Sequence, residues 1–164
     1  MASGSTERWR LNAKRALVTG GTKGIGRAVV EELASLGATV ITCSRNGQDV
    51  EKCVEELRAK GMDVHGIEAD VTSNEGRERL EEKAAEVFGG KLDILVNNVG
   101  TNIRRPTVEY TEEEYRWLMD TNLNSLFLLT KRLHPLLVAA GSSGGASVVN
   151  VSSVAGQVPI KSGE

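Results

Sequence analysis

The stretch Thr19-Gly20-Gly21-Thr22-Lys23-Gly24-Ile25-Gly26 decides the fold of this 164-residue chain. It follows an apolar run at 15–18 and precedes a helical pattern at 27–36, which indicates a strand, a glycine turn and a helix. Gly20 suits a tight turn, and Gly24 would let the backbone approach a pyrophosphate. Gly26 would let the new helix pack closely against its strand. The helix N-terminus would offer N–H groups to the phosphates. An incidental glycine turn is the alternative, because the spacing differs from the commoner G-x-G-x-x-G.

The same succession of strand and helix recurs along the chain. Apolar, β-branched runs predict further strands at 38–43, 63–69, 92–96 and 147–151. Helical patterns lie between them at 49–59, 72–88 and 111–139. Two capping boxes predict helix starts, Thr72 with Glu75 and Thr111 with Glu114. One apolar stripe marks the last helix, which Pro135 should bend or end: Leu126, Phe127, Leu129, Leu133 and Leu137.

Strands that alternate with helices at this period predict a parallel sheet covered on both faces. The handedness of the crossovers then gives the doubly wound α/β strand order 3-2-1-4-5. We expect one domain over residues 11–164, preceded by a flexible segment at 1–10.

Composition and charge limit the classes of partner. The net charge is −2 and the cations are scattered among acids, which argues against nucleic acid and favours a small soluble partner. No segment approaches the ~20 apolar residues of a membrane helix, and residues 1–10 contain no apolar signal core. A cytoplasmic protein without a membrane partner is therefore expected. Cys43 and Cys53 lack metal-ligand spacing, so we expect buried thiols and no metal site.

The end of the second strand predicts the cofactor. A fold that prefers NAD usually places an acid there, on the ribose 2′-OH. Here the position holds Cys43-Ser44-Arg45, and a guanidinium beside a hydroxyl suits a 2′-phosphate instead. Lys23 adds a second positive charge within the glycine turn. The sequence therefore favours NADP(H), unless Arg45 is simply a solvated surface arginine.

Three further motifs follow in order: Asn97-Asn98-Val99-Gly100, Asn122, and Val151-Ser152-Ser153-Val154-Ala155-Gly156. With the glycine turn, they resemble the short-chain dehydrogenase/reductase family from about Leu11 to Glu164. Within that family the chain looks most like the plant tropinone reductases, through residues 30–38, 42–46 and 90–98. The resemblance implies a Rossmann fold, here without the family's last strands.

The resemblance also implies cofactor contacts. In this family an acid after the third strand binds the adenine amino group, which points to Asp70, and Val71 would flank the ring. Asn97, with Val99 and Gly100, would support the adenine-side ribose and hold the fourth strand against the glycine turn, although these residues could form a structural turn only. The complete predicted cofactor set is Gly20, Thr22, Lys23, Gly24, Ile25, Gly26, Ser44, Arg45, Asp70, Val71, Asn97, Val99 and Gly100.

The implied reaction is hydride transfer between nicotinamide and a small ketone or alcohol. Asn122 matches the family's helix-kink asparagine, which binds a water of the proton relay, and Ser153 matches the serine that binds the substrate carbonyl. A buried polar kink and a strand-end turn are the alternatives for these two residues.

The family's general acid belongs to a Tyr-x-x-x-Lys motif about a dozen residues beyond the serine. Eleven residues follow Ser153 here, and both tyrosines, Tyr110 and Tyr115, precede it. Carbonyl reduction would then lose the ~10²–10⁴-fold that general acid catalysis supplies. A non-catalytic module that binds NADP(H) or a partner, and an incomplete gene product, are the alternatives. The resemblance implies a homodimer or homotetramer for the full-length form.

Overall fold

The computed structural model describes residues 9–141 and 144–158. Residues 1–8 and 159–164, which belong to the expected flexible segment and to the end of the expected domain, lie outside the described residues. Five parallel strands form one sheet in the order β3-β2-β1-β4-β5, which confirms the predicted topology. The strands are β1 (Arg15–Thr19), β2 (Thr39–Ser44), β3 (Val64–Glu68), β4 (Ile94–Asn97) and β5 (Ser147–Asn150).

Helices connect the strands as crossovers. They are α1 (Gly24–Ser35), α2 (Gly47–Ala59), α3 (Asn74–Phe88), α4 (Glu112–Met119) and α5 (Ser125–Gly141). A π-helical turn, Asp120–Asn124, joins α4 to α5, so the single helix predicted at 111–139 is interrupted. Short 3-10 turns lie at Thr107–Glu109 and Val154–Gly156.

Two apolar layers hold the helices on the sheet, because successive residues of a strand face opposite sides. On one face, Leu17 and Leu95 pack with Leu133 of α5 and with side chains of α3. On the other face, Val18 and Val40 pack with side chains of α1 and α2. Each of these leucines and valines is fully buried and stabilises the fold by about 1.5–3 kcal/mol.

Strand β5 is an edge strand in the described part of the chain. It pairs with β4 only, and its four residues are all exposed. Val148 and Val149 face opposite sides of the sheet, with 43% and 48% of their surface accessible.

The two capping predictions have different outcomes. Thr111 and Glu114 form the expected reciprocal capping box at the start of α4. The box predicted for Thr72 and Glu75 is wrong, because Ser73 caps α3 and accepts from the N–H of Gly76. The Thr72 backbone N–H and hydroxyl both donate to Asp70 Oδ1, at 2.9 and 2.7 Å.

Helix α5 departs from the predicted stripe. Leu129, Leu133 and Leu137 are buried as expected, but Phe127 is 63% exposed. Phe127 lies two residues before Leu129, about 200° around the helix, so it cannot share the buried face. Pro135 does not end the helix, which continues to Gly141.

Candidate functional site

The glycine turn between β1 and α1 has the backbone geometry that only glycine accepts easily. Gly20 and Gly24 have φ values of +67° and +57°, in the left-handed region. At Gly26 an added Cβ would lie 2.3 Å from the Gly20 carbonyl oxygen and 2.4 Å from Asn98 Nδ2. Lys23 is the N-cap of α1, and its side chain makes no capping hydrogen bond. The helix therefore starts close against its strand, with N–H groups left for an external acceptor.

Asn98 fixes the end of β4 against this turn. Its side-chain amide donates to the Thr19 and Gly20 carbonyl oxygens at 2.9 and 3.2 Å, and its backbone N–H donates to Thr19 Oγ1. The expectation that Asn97, with Val99 and Gly100, would hold the strand end there is met by the Val99 N–H, which donates to Thr19 Oγ1 at 3.2 Å, and is wrong for the Asn97 side chain. Asn97 faces the other side of the sheet and donates to Thr130 Oγ1 and Asn150 Oδ1.

A cleft of about 380 Å³ lies beyond the carboxyl ends of the strands, the place where open α/β sheets bind ligands. Nine of the predicted cofactor-binding residues line it: Gly20, Thr22, Lys23, Ser44, Arg45, Asp70, Val71, Val99 and Gly100. The remaining predicted residues do not line it: Gly24, Ile25, Gly26 and Asn97. The sequence reasoning missed the other lining residues: Cys43, Ala69, Thr72, Asn98, Thr101, Trp117 and Thr121.

The charges of the cleft favour an anionic ligand. Lys23 and Arg45 both line it, and within residues 9–141 and 144–158 neither has a carboxylate partner. Asp70 is fixed through Oδ1, which accepts both bonds from Thr72, while Oδ2 has no donor among the described residues. The three side chains follow β1, β2 and β3, so the cleft offers two cations and one oriented acceptor along neighbouring strand ends.

Two residues line the cleft although no sequence motif predicts them there, Cys43 and Thr121. Cys43 is 1% exposed, and burial raises the pKa of its thiol to about 11, so the thiol stays protonated at neutral pH. The Thr121 hydroxyl is buried and has no hydrogen-bond partner in the described part of the chain. Thr121 belongs to the π-helical turn, which sequence periodicity did not predict.

The two predicted catalytic residues lie near the same edge of the sheet but outside the cleft lining. Asn122, in the π-helical turn, accepts from the Thr101 N–H and donates to the Thr101 carbonyl oxygen, both at 2.8 Å. Ser153 follows β5 and caps a 3-10 turn by accepting from the Ala155 N–H. Through these two bonds, Asn122 positions the loop that follows β4. Thr101, in that loop, lines the cleft.

The described residues contain no group of three or more side chains that could hold a metal ion. None of the helices they form is long and apolar enough to cross a membrane.

Comparison with known proteins agrees with this architecture. Residues 14–164 match the family model for short chain dehydrogenase, and the chain belongs to that family. It is 54% identical over 157 residues to a tropinone reductase homolog of Arabidopsis thaliana, which covers 96% of this chain and 58% of the relative. Senescence-associated protein 13 of the same plant is 49% identical over 160 residues, or 98% of this chain and 58% of that protein.

A solved structure shows the same fold. A Sinorhizobium meliloti protein, provisionally assigned as a short-chain alcohol dehydrogenase, superposes with a TM-score of 0.84 at 30% identity. The match covers 94% of this chain and 60% of that protein. The chain therefore spans somewhat more than half the length of the proteins that it resembles.

Proposed function

We propose that this chain binds NADP(H) in the cleft and forms the cofactor-binding part of a tropinone reductase-like oxidoreductase that interconverts a small ketone and its alcohol. The observation that carries the proposal is the pair of unpartnered cations, Lys23 and Arg45, in a cleft built on a glycine turn. Two uncompensated cations at neighbouring strand ends favour a ligand with a phosphate beyond the pyrophosphate.

Arg45 directly follows β2, where a dinucleotide fold recognises the adenosine ribose. No acid stands at that position, and Glu68, which pairs in register with Ser44, does not line the cleft. A guanidinium offers forked donors to phosphate oxygens, and the Ser44 hydroxyl lies beside it. Ser44 and Arg45 would therefore hold the 2′-phosphate.

We propose the remaining contacts from the lining of the cleft together with the family resemblance. The backbone N–H groups at the start of α1 would hold the pyrophosphate. Asp70, held through Oδ1 by Thr72, would accept the adenine amino group on its other oxygen, and Val71 would flank the ring.

The nicotinamide, when bound, supplies or accepts the hydride. We assign to Ser153 a hydrogen bond to the substrate carbonyl, and to Asn122 the positioning of the π-helical turn and of the loop that follows β4. The Tyr110 hydroxyl already donates to the Ile103 carbonyl oxygen, so we assign it no proton transfer.

A second candidate function is a non-catalytic module that binds NADP(H) or a partner subunit. The exposed faces of β5 and its edge away from β4 favour this second candidate, because an unpaired strand edge can pair with another chain. A module that binds NADP(H) would share cofactor binding with the first candidate, and a module that binds a partner would not. Only the first candidate predicts oxidation of NADPH that depends on a ketone. Loss of that oxidation in Ser153→Ala would favour the reductase.

Two further proposals concern context. A homodimer or homotetramer is supported by exposed apolar side chains on the π-helical turn and α5, among them Leu123 and Phe127. We also propose a cytosolic location. One relative is chloroplastic by name, so a fluorescent fusion of this chain would test the cytosol against the chloroplast.

The test of cofactor preference is a calorimetric titration of the chain with NADPH and with NADH. Arg45→Ala should weaken NADPH binding by at least about tenfold, the value of one charge-assisted hydrogen bond, and should leave NADH within about twofold. Arg79→Ala, an exposed arginine on α3 outside the cleft, is the matched control and should change neither. Tighter binding of NADH than of NADPH, or an equal loss of both in Arg45→Ala, would refute the proposal.

A further inference from the structure

A second polar groove lies between α3 and α5, outside the cofactor cleft. We call it the α3–α5 groove; it encloses about 380 Å³ and is lined by Asn74, Arg77, Glu81, Leu128, Lys131 and Arg132. It shares no lining residue with the cleft.

Arg77 is the unusual side chain of this groove. It is only 7% exposed, and its Nη1 donates to the Val71 carbonyl oxygen at 2.7 Å. Within the described ranges no carboxylate lies at ion-pair distance from it. Burial lowers the pKa of Arg77, the positive charge of Arg132 lowers it further, and the negative charge of Asp70 opposes both effects. A buried cation held by one neutral acceptor is costly, so a counter-charge at this place would stabilise it.

The neighbours of Arg77 add positive charge. Arg132 bonds to Glu81 at 2.8 Å and to Asn74 Oδ1 at 2.9 Å, so one acid neutralises one of the three cations. Lys131 has no acid partner in the described part of the chain. The groove therefore keeps an excess of two positive charges.

The donors of Arg77 remain available to a ligand. Apart from Nη1, the guanidinium nitrogens of Arg77 have no acceptor among the described residues. None of these nitrogens is completely inaccessible to solvent. They therefore keep some accessible surface, and the groove that Arg77 lines is also lined by Lys131 and Arg132. A planar fork with two further cations matches the oxygens of a phosphate group.

We propose that the α3–α5 groove is a second anion site, separate from the cofactor cleft, which binds the phosphate group of a small molecule. Of its three cations, Lys131 is exposed, Arg132 is half-buried and Arg77 is buried. An anion there would also act on the cleft indirectly, since Arg77 holds the carbonyl of Val71, which lines the cleft.

Inorganic phosphate is the probe, with chloride used to keep the ionic strength constant. Because the cleft itself is expected to bind phosphate, the starting protein is the double variant Lys23→Ala/Arg45→Ala. Its phosphate affinity is measured by ³¹P line broadening and by the rise of the unfolding temperature with phosphate concentration.

We expect saturable binding by the double variant. Adding Lys131→Ala and Arg132→Ala should weaken it by about tenfold or more, from the loss of two charged donors. Leu128 also lines the groove and is 37% exposed. Leu128→Glu should weaken phosphate binding without removing a cation, because the new carboxylate has the same sign of charge as the phosphate and repels it. Arg79→Ala, on the exposed side of α3, is the control and should have no effect.

Two results would overturn the assignment. One is the disappearance of saturable phosphate binding in the Lys23→Ala/Arg45→Ala protein, which would place all binding in the cofactor cleft. The other is phosphate affinity that persists unchanged in both the Lys131/Arg132 variant and Leu128→Glu.

Discussion

Replacement of Gly26 by alanine tests the packing of α1 on its strand. The new methyl group would lie 2.3 Å from the Gly20 carbonyl oxygen and 2.4 Å from Asn98 Nδ2. Both atoms belong to the link between the strand ends, because Asn98 Nδ2 donates to the Thr19 and Gly20 carbonyl oxygens. Relief of the overlap therefore requires α1 to move outward or Asn98 to leave its acceptors.

The expected loss of unfolding free energy can be worked from these contacts. Overpacking of this kind costs about 1–3 kcal/mol, and two hydrogen bonds of Asn98 add about 0.5–1.5 kcal/mol each. Alanine is a better helix former than glycine and returns about 1 kcal/mol. The net loss should be about 1–5 kcal/mol, which lowers the unfolding temperature by roughly 2–20 °C for a chain of this size.

Gly24→Ala is the matched control. An added Cβ at Gly24 meets no atom within 4 Å, and only the φ of +57° opposes it, at about 1–2 kcal/mol. We expect a smaller loss of stability in Gly24→Ala than in Gly26→Ala. Gly24 does not line the cleft, but it begins α1, whose first N–H groups are assigned to the pyrophosphate. A methyl group there would hinder the approach of the pyrophosphate to the backbone, so the NADPH affinity should nevertheless fall by about tenfold.

Thermal unfolding by circular dichroism and an NADPH titration, applied to both variants, separate these effects. A Gly26→Ala protein as stable as the unmodified chain would refute the packing argument. A Gly24→Ala protein that binds NADPH normally would refute the role assigned to that backbone position.

Three further predictions concern single side chains. Burial raises the pKa of Asp93, but bonds from Arg15 and Lys14 outweigh it and hold the pKa below its usual range. Asp93→Asn should therefore lose about 2–3 kcal/mol at neutral pH. Its deficit in urea unfolding should begin to shrink as the pH falls below about 4, the ordinary pKa of the carboxyl, and should be lost only below the lowered pKa of folded Asp93. Cys43, with its raised pKa of about 11, should react with a thiol reagent at pH 8 only after unfolding; reaction in the folded state would show that the strand opens. Ser153→Ala should leave the NADPH dissociation constant within about twofold, because Ser153 lies outside the cleft lining; a tenfold change by titration would place it in the binding site.

The strand order was predictable because βα alternation and the handedness of crossovers leave few topologies. The side of the sheet that each residue faces was harder at Asn97 and Asn98, which are adjacent and chemically identical. Only the alternation along β4 decides that Asn98 meets the glycine turn while Asn97 faces α5.

Local competition explains two other errors. Thr72 and Ser73 are both good capping residues, and Asp70 decides between them by bonding to Thr72. Phe127 fits an apolar pattern, but it lies about 200° around α5 from Leu129, and the face through Ser125, Leu129 and Leu133 is the buried one. The cleft was predictable where glycines and charges carry the signal, and unpredictable at Trp117 and Thr121, which only the interrupted helix brings to its wall.

The most direct measurement is a crystal structure of the chain grown with NADP⁺. We expect the nucleotide in the cleft, its 2′-phosphate within hydrogen-bond distance of Arg45 and its adenine amino group on Asp70. A nucleotide bound elsewhere, or a 2′-phosphate in the cleft with no contact to Arg45 or Lys23, would contradict the proposed mode of cofactor recognition.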